Sequence, residues 1–179
     1  KAFENTRKNG QSFFAYYLYK SKVAINKVDA LKLRIVDNKI ALFDSLHVGS
    51  TIGRADGTFG FSYFEYSEDF SVFNERLQEQ ITTVHNTKGL GIKNEGLPPN
   101  HIRHTTIPWH SFTSILHPTD FDPKESIPKI AFGKFSERDG KKMMPVSIEA
   151  HHGLADGIDL AKYFEVFQEE LDRDKILFD

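Results

Sequence analysis

The 179-residue chain contains no cysteine, which removes disulfides, thiolate metal sites and a cysteine nucleophile together and constrains its compartment only weakly. It has no uninterrupted apolar run near the ~20 residues a helix needs to cross a bilayer, and no signal peptide is visible. A formal net charge of −2 and an isoelectric point near 6.5 leave no basic excess for a nucleic-acid or anionic membrane surface. Internal repeats and low-complexity tracts are absent. These absences predict one domain over 1–179, with neither nucleic acid nor membrane as partner and the cytoplasm as default location.

What is present is aromatic: 16 Phe and 6 Tyr fit a large core or an apolar pocket. Lys1 to Arg7 reads as a helix already in progress. Ser12 can cap a helix over Phe13–Asn26, with Phe14, Leu18 and Ile25 on its buried side. Strands are expected over Leu31–Val36 and Lys39–Phe43, turning at Asp37-Asn38, and over Val48–Arg54 and Phe59–Phe64 around Ala55-Asp56-Gly57. A helix over Asp69–Thr87 follows from Phe70, Phe73, Leu77, Ile81 and Val84 at spacings of three and four. Gly89–Asn100 reads as a loop. A last pair, Ile130–Ser136 and Lys141–Ala150, turns at Arg138-Asp139-Gly140.

The stretch with most chemistry is His151-His152-Gly153-Leu154-Ala155-Asp156-Gly157. Met144, Val146, Ile148 and Ala150 alternate with polar residues before it, as in a half-buried strand. If that register continues, His152 faces the apolar side with Ala150. After it, Leu160, Phe164, Phe167 and Leu171 form one stripe of an amphipathic helix, and Asp156 stands where it can cap that helix. A neutral imidazole, with an ordinary pKa of ~6.5, can take a proton from an attacking hydroxyl. Such general-base help is worth about 10²–10⁴ in rate. Taken alone, the same spacing fits a buried, hydrogen-bonded structural histidine. Metal binding fits less well: adjacent strand residues point to opposite faces, and no cysteine or His-x-x-x-His pair joins them.

The His-His-x-x-x-Asp-Gly run resembles the signature of coenzyme A-dependent acyltransferases. With Thr105-Thr106-Ile107-Pro108-Trp109-His110-Ser111-Phe112-Thr113-Ser114 it resembles the chloramphenicol acetyltransferase family in particular. Leu33-Arg34, Phe43-Asp44-Ser45-Leu46 and Pro128 through Pro145 extend the likeness, less specifically. The resemblance implies an α/β fold, a two-layer acyltransferase sandwich with a mixed β-sheet packed by helices. It implies acetyl-CoA as co-substrate, no metal, and a small-molecule hydroxyl acceptor such as chloramphenicol. It also implies a homotrimer with active sites between subunits.

By the same resemblance His152 is the general base and Thr105 replaces a serine that hydrogen-bonds the oxyanion. Asp156 is structural at the active site, in a buried ion pair with an arginine near the N-terminus. None of the seven arginines matches that partner, so the natural N-terminus is expected to precede Lys1. Trp109 is expected to serve packing rather than chemistry. The acceptor-binding positions Phe135, Ala131 and Ile115 depart from the family, which carries Tyr, Thr and a bulkier aromatic there. Glu149 stands where a neutral amide is usual. Two lost hydroxyls make recognition of chloramphenicol itself weaker. The alternative reading is a catalytically idle binding or interaction protein on the same fold.

Overall fold

A short helix, α1 (Ala2–Lys8), ends at Asn9, and Ser12 starts α2 (Phe13–Asn26), its hydroxyl accepting from the Ala15 backbone N–H at 3.3 Å. The structure, a computed structural model, describes residues 1–91, 97–118 and 125–173. The expected buried side of α2 is an underestimate. Ten of its residues, including Lys20, Ser21 and Lys22, are buried, because the sheet lies on one side and two further helices flank it. Those helices are α3 (Phe70–Asn86), capped by Asp69, and α4 (Gly157–Asp172). Burial of the polar residues is compensated locally. Lys20 and Glu170 pair at 3.3 Å, and Lys27 and Arg173 reach the same carboxylate at 2.7 Å each.

The strands, in chain order, are β1 (Leu33–Val36), β2 (Lys39–Leu42), β3 (His47–Gly53), β4 (Phe59–Phe64), β5 (His101–Ile107), β6 (Lys129–Gly133), β7 (Ser136–Arg138), β8 (Lys141–Met143) and β9 (Val146–Glu149). The main sheet is mixed, in the order β4-β3-β5-β6-β9: β5 runs parallel to β3 and β6, while β4 and β9 are antiparallel edges. Val48, Phe64, Ile102, Ile130 and Phe132 meet Leu18, Ile25, Phe73, Leu77, Tyr163 and Phe167 of the helices in one core. The fold is the expected two-layer arrangement. Side chains alternate across a strand, so Arg103, Thr105, Ala131, Ser147 and Glu149 share the face away from the helices.

Several expectations change in detail. The first expected strand begins two residues late, because Asp29–Lys32 is a 3-10 turn. Its hairpin turns through Asp37 and Asn38, both at positive φ (50° and 59°), the pattern of a type I′ connection. The long hairpin after Ile130 is broken in two: β6 pairs β9, and β7 pairs β8 as a separate tip. Pro145 cannot donate to a ladder, and the Lys134 N–H goes to His110 O at 2.9 Å instead. On α4 the deepest side chains are Tyr163 and Phe167, not the expected Phe164, which is 39% exposed. The Tyr163 hydroxyl meets Ser21 Oγ at 2.9 Å, which permits its burial. Of the expected loop Gly89–Asn100, residues 92–96 lie outside the described residues.

Candidate active site

Strand β9 stops at Glu149, and the chain then turns tightly. The Leu154 and Ala155 N–H groups both bond His151 O, at 2.9 and 3.1 Å, and His151 Nδ1 accepts from Gly153 N–H at 3.1 Å. The strand register therefore does not continue to His152, and its ring is exposed rather than turned to the side of Ala150. Nδ1 of His152 faces Ala155 O at 3.5 Å, a weak contact. A proton on Nδ1 leaves the Nε2 lone pair outward, the form a general base requires.

Asp156 is the N-cap of α4: its carboxylate accepts from Ile158 N–H at 2.9 Å, and Asp159 answers by accepting from Asp156 N–H at 3.0 Å. It is exposed, and no arginine among the described residues pairs with it. Among the described residues its carboxylate is engaged in a reciprocal capping arrangement.

Thr105 occupies the middle of β5 and is half-buried; its neighbour Thr106 points to the helices and meets Tyr17 hydroxyl at 2.9 Å. In register, Thr105 lies beside Ala131, and Ala131 beside Ser147. Ala131 is fully buried. Phe135 does not share this row. Beyond the end of β6 it packs on Phe3 with ring centroids 5.2 Å apart, under the Lys142 ammonium at 5.4 Å. Together with Phe13, Met144 and Phe164 it lines a cleft of about 1100 Å³ between α1, the β7–β8 tip and α4. Ile115 is half-buried in the loop after Trp109. That loop returns over the helix-free face. Phe112 lies against Gly133, where an added Cβ would come within 2.8 Å of its ring. Trp109, expected to be packed, is 70% exposed at the end of β5, where Pro108 stops the strand.

Sequence reasoning passed over one group on this face. His117 Nδ1 makes a close contact with Glu149 Oε1, and the same oxygen accepts from the His117 backbone N–H at 2.9 Å. The departure at Glu149 was visible in sequence; its partner, 32 residues earlier in a loop, left no pattern to find. No cluster of metal-ligating side chains occurs among the described residues.

Comparisons with known proteins agree with this fold. The family model for chloramphenicol acetyltransferase matches residues 1–168. A chloramphenicol acetyltransferase from Clostridium perfringens is 30% identical over 132 residues, covering 73% of this chain and 60% of the relative. One from Bacillus pumilus is 27% identical over 143 residues, covering 79% and 64%. The chain thus spans less than two thirds of the length of these two relatives. A solved chloramphenicol acetyltransferase structure superposes with a TM-score of 0.88 at 28% identity, covering 96% of this chain and 83% of that one.

Proposed function

The chain belongs to the chloramphenicol acetyltransferase family, and from that premise we propose that it transfers acetyl from acetyl-CoA to a hydroxyl of a small-molecule acceptor such as chloramphenicol. His152 is the base. The observation that carries this reading is the exposed imidazole held on a tight turn, with Nδ1 facing Ala155 O at 3.5 Å and no partner for Nε2 among the described residues. Nε2 takes the proton of the acceptor hydroxyl as its oxygen attacks the thioester carbonyl. The Thr105 hydroxyl donates to the oxyanion that forms, a contact worth about 3–4 kcal/mol in comparable sites. Collapse expels the coenzyme A thiolate, and His152 returns the proton to that sulfur. Transfer is direct, since the chain has no cysteine to form an acyl-enzyme.

His152 and Thr105 stand apart within one chain, and an assembly of three copies with sites between subunits brings the base of one to the oxyanion donor of the next. The exposed Trp109 is compatible with burial against a neighbour. The test is release of free thiol from acetyl-CoA, with and without a panel of hydroxylated acceptors, alongside the sedimentation mass. Acceptor-dependent release from a trimer supports the reading. A trimer that releases no thiol with any acceptor supports the idle binding protein instead.

A further inference from the structure

His117 and Glu149 form a carboxylate–imidazole couple on the helix-free face. Their side chains are 14% and 24% exposed, and the imidazole is held by one nitrogen. Nδ1 and the backbone N–H of His117 both address Glu149 Oε1. His117 Nε2, by contrast, is buried and has no partner among the described residues. A couple serving only to fasten the loop to β9 gains nothing from a ring, since the backbone N–H already makes that link. It also loses by burying a ring nitrogen unpaired. A carboxylate on Nδ1–H fixes the tautomer and leaves Nε2 as a hydrogen-bond acceptor of set direction.

Its place on the sheet says what it can meet. Glu149 is in register with Lys129, one strand over, and Ser147 with Ala131, which lies beside Thr105. Two strand spacings of about 4.8 Å and two residues of about 3.4 Å put the Thr105 and Glu149 Cα atoms ~12 Å apart on one face. Ala131 and Lys129 between them are buried in the free chain, as is His117 Nε2, so a small molecule that parts the loop from the sheet can span the interval. Resting on the acetyl-transfer reading above, we propose that His117 is a specificity-determining residue for the acceptor. Its Nε2 accepts a hydrogen bond from a second donor, a hydroxyl or amine N–H, on the molecule whose first hydroxyl is acetylated. Glu149 is the positioning residue that orients the ring. The carboxylate stands where the family carries a neutral amide, so this preference is the chain's own and selects polyhydroxylated or amino-bearing acceptors.

The test uses chloramphenicol and its analogue with hydrogen in place of the hydroxyl that is not acetylated. In protein labelled with ¹⁵N-histidine, the His117 signals are identified by their loss in His117→Phe/Glu149→Gln, which removes the ring nitrogen without stranding a carboxylate. Chloramphenicol is expected to move the Nε2 resonance, and the analogue to leave it in place. In turnover, the double variant is expected to raise KM for chloramphenicol about three- to tenfold, the effect falling on KM rather than kcat, and to leave KM for the analogue unchanged. Glu149→Gln alone is expected to fall between. An Nε2 resonance that stays still up to the solubility limit of chloramphenicol overturns the inference, as does an equal KM change for both compounds. If the wild type transfers no acetyl group, the acetyltransferase reading fails by itself, and the resonance still decides the role of His117.

Discussion

Thr105 lies two strands inboard of the edge strand that leads to His152, and its register partner row ends at Ser147, five residues short of that histidine. Strand spacing alone separates them by about 10 Å across the sheet, and His152 lies further on, toward the His101 end of β5. The proposed site shared between copies is open to complementation. His152→Ala and Thr105→Ala chains, each nearly inactive alone, are expected to recover activity when refolded together, since about one site in four of a randomly mixed trimer then holds both native residues. Mixtures no better than the average of the two parents would rule out a shared site.

The exposure of His152 separates its chemistry from its structure. His152→Ala is expected to unfold at the wild-type temperature and to lose at least about 10² in turnover. His151→Ala removes the acceptor of the Gly153 N–H and is expected to lower the melting temperature with a smaller loss of rate. Thermal melts and thiol-release kinetics on both variants distinguish them; similar small losses would end the assignment of the base.

Asp156 gives a stability test with a definite size. As an exposed cap bonded to Ile158 N–H, it is expected to cost about 1 kcal/mol on change to Ala, within the usual 0.5–2 range for caps. Removing one partner of a buried ion pair would cost about 3–5 kcal/mol. Urea denaturation reads the difference, and a loss in the upper range would mean the carboxylate has a buried cationic partner in the assembled protein.

The parts of this fold legible in the sequence are those with one dominant local cause. Ser12 announces α2, the apolar spacing from Phe70 to Val84 announces α3, and Asp37-Asn38 announces a hairpin. The central strand β5 is not announced by pattern: His101, Arg103, His104, Thr105 and Thr106 crowd it, and only the family likeness marked it as a strand. Its polar side chains are satisfied by residues remote in sequence, such as Tyr17 on Thr106. For the same reason the placement of Phe135 was not legible. Its spacing from Ala131 suggests a shared face, but the chain leaves the sheet at Lys134 to bond His110.

Burial of His104 makes a pH prediction with a fixed sign. The ring is held between Gly49 O at 3.1 Å and Ser21 Oγ at 3.5 Å, and desolvation pushes its pKa down to about 3. The unfolded chain, with an imidazole pKa of ~6.5, binds the proton first. The histidine's contribution to stability is therefore whole above pH ~6.5 and is lost as the pH falls toward 3. His101, lowered to about 4 chiefly by burial, acts the same way. His104→Gln is expected to flatten the fall of the urea midpoint between pH 6.5 and 4. A slope identical to wild type would show that other groups carry the acid sensitivity.

Acceptor preference should respond unequally to the two positions at which the family carries a hydroxyl. Ala131 lies between Thr105 and Ser147 on the row facing the proposed site, so Ala131→Thr puts a hydroxyl about 5 Å from Thr105 across one strand spacing. One added hydrogen bond of about 0.5–1.5 kcal/mol lowers KM for chloramphenicol roughly two- to tenfold. Ala131 is fully buried, so two extra heavy atoms are also expected to cost about 1–3 kcal/mol of stability. Phe135 instead packs on Phe3 beneath Lys142, and Phe135→Tyr is expected to leave chloramphenicol KM within about twofold, since it adds no donor to the Thr105 row. Steady-state kinetics on both single variants and the double decide the order. A larger gain from Phe135→Tyr than from Ala131→Thr would place the acceptor in the cleft of Phe3 and Phe164 rather than on the sheet face.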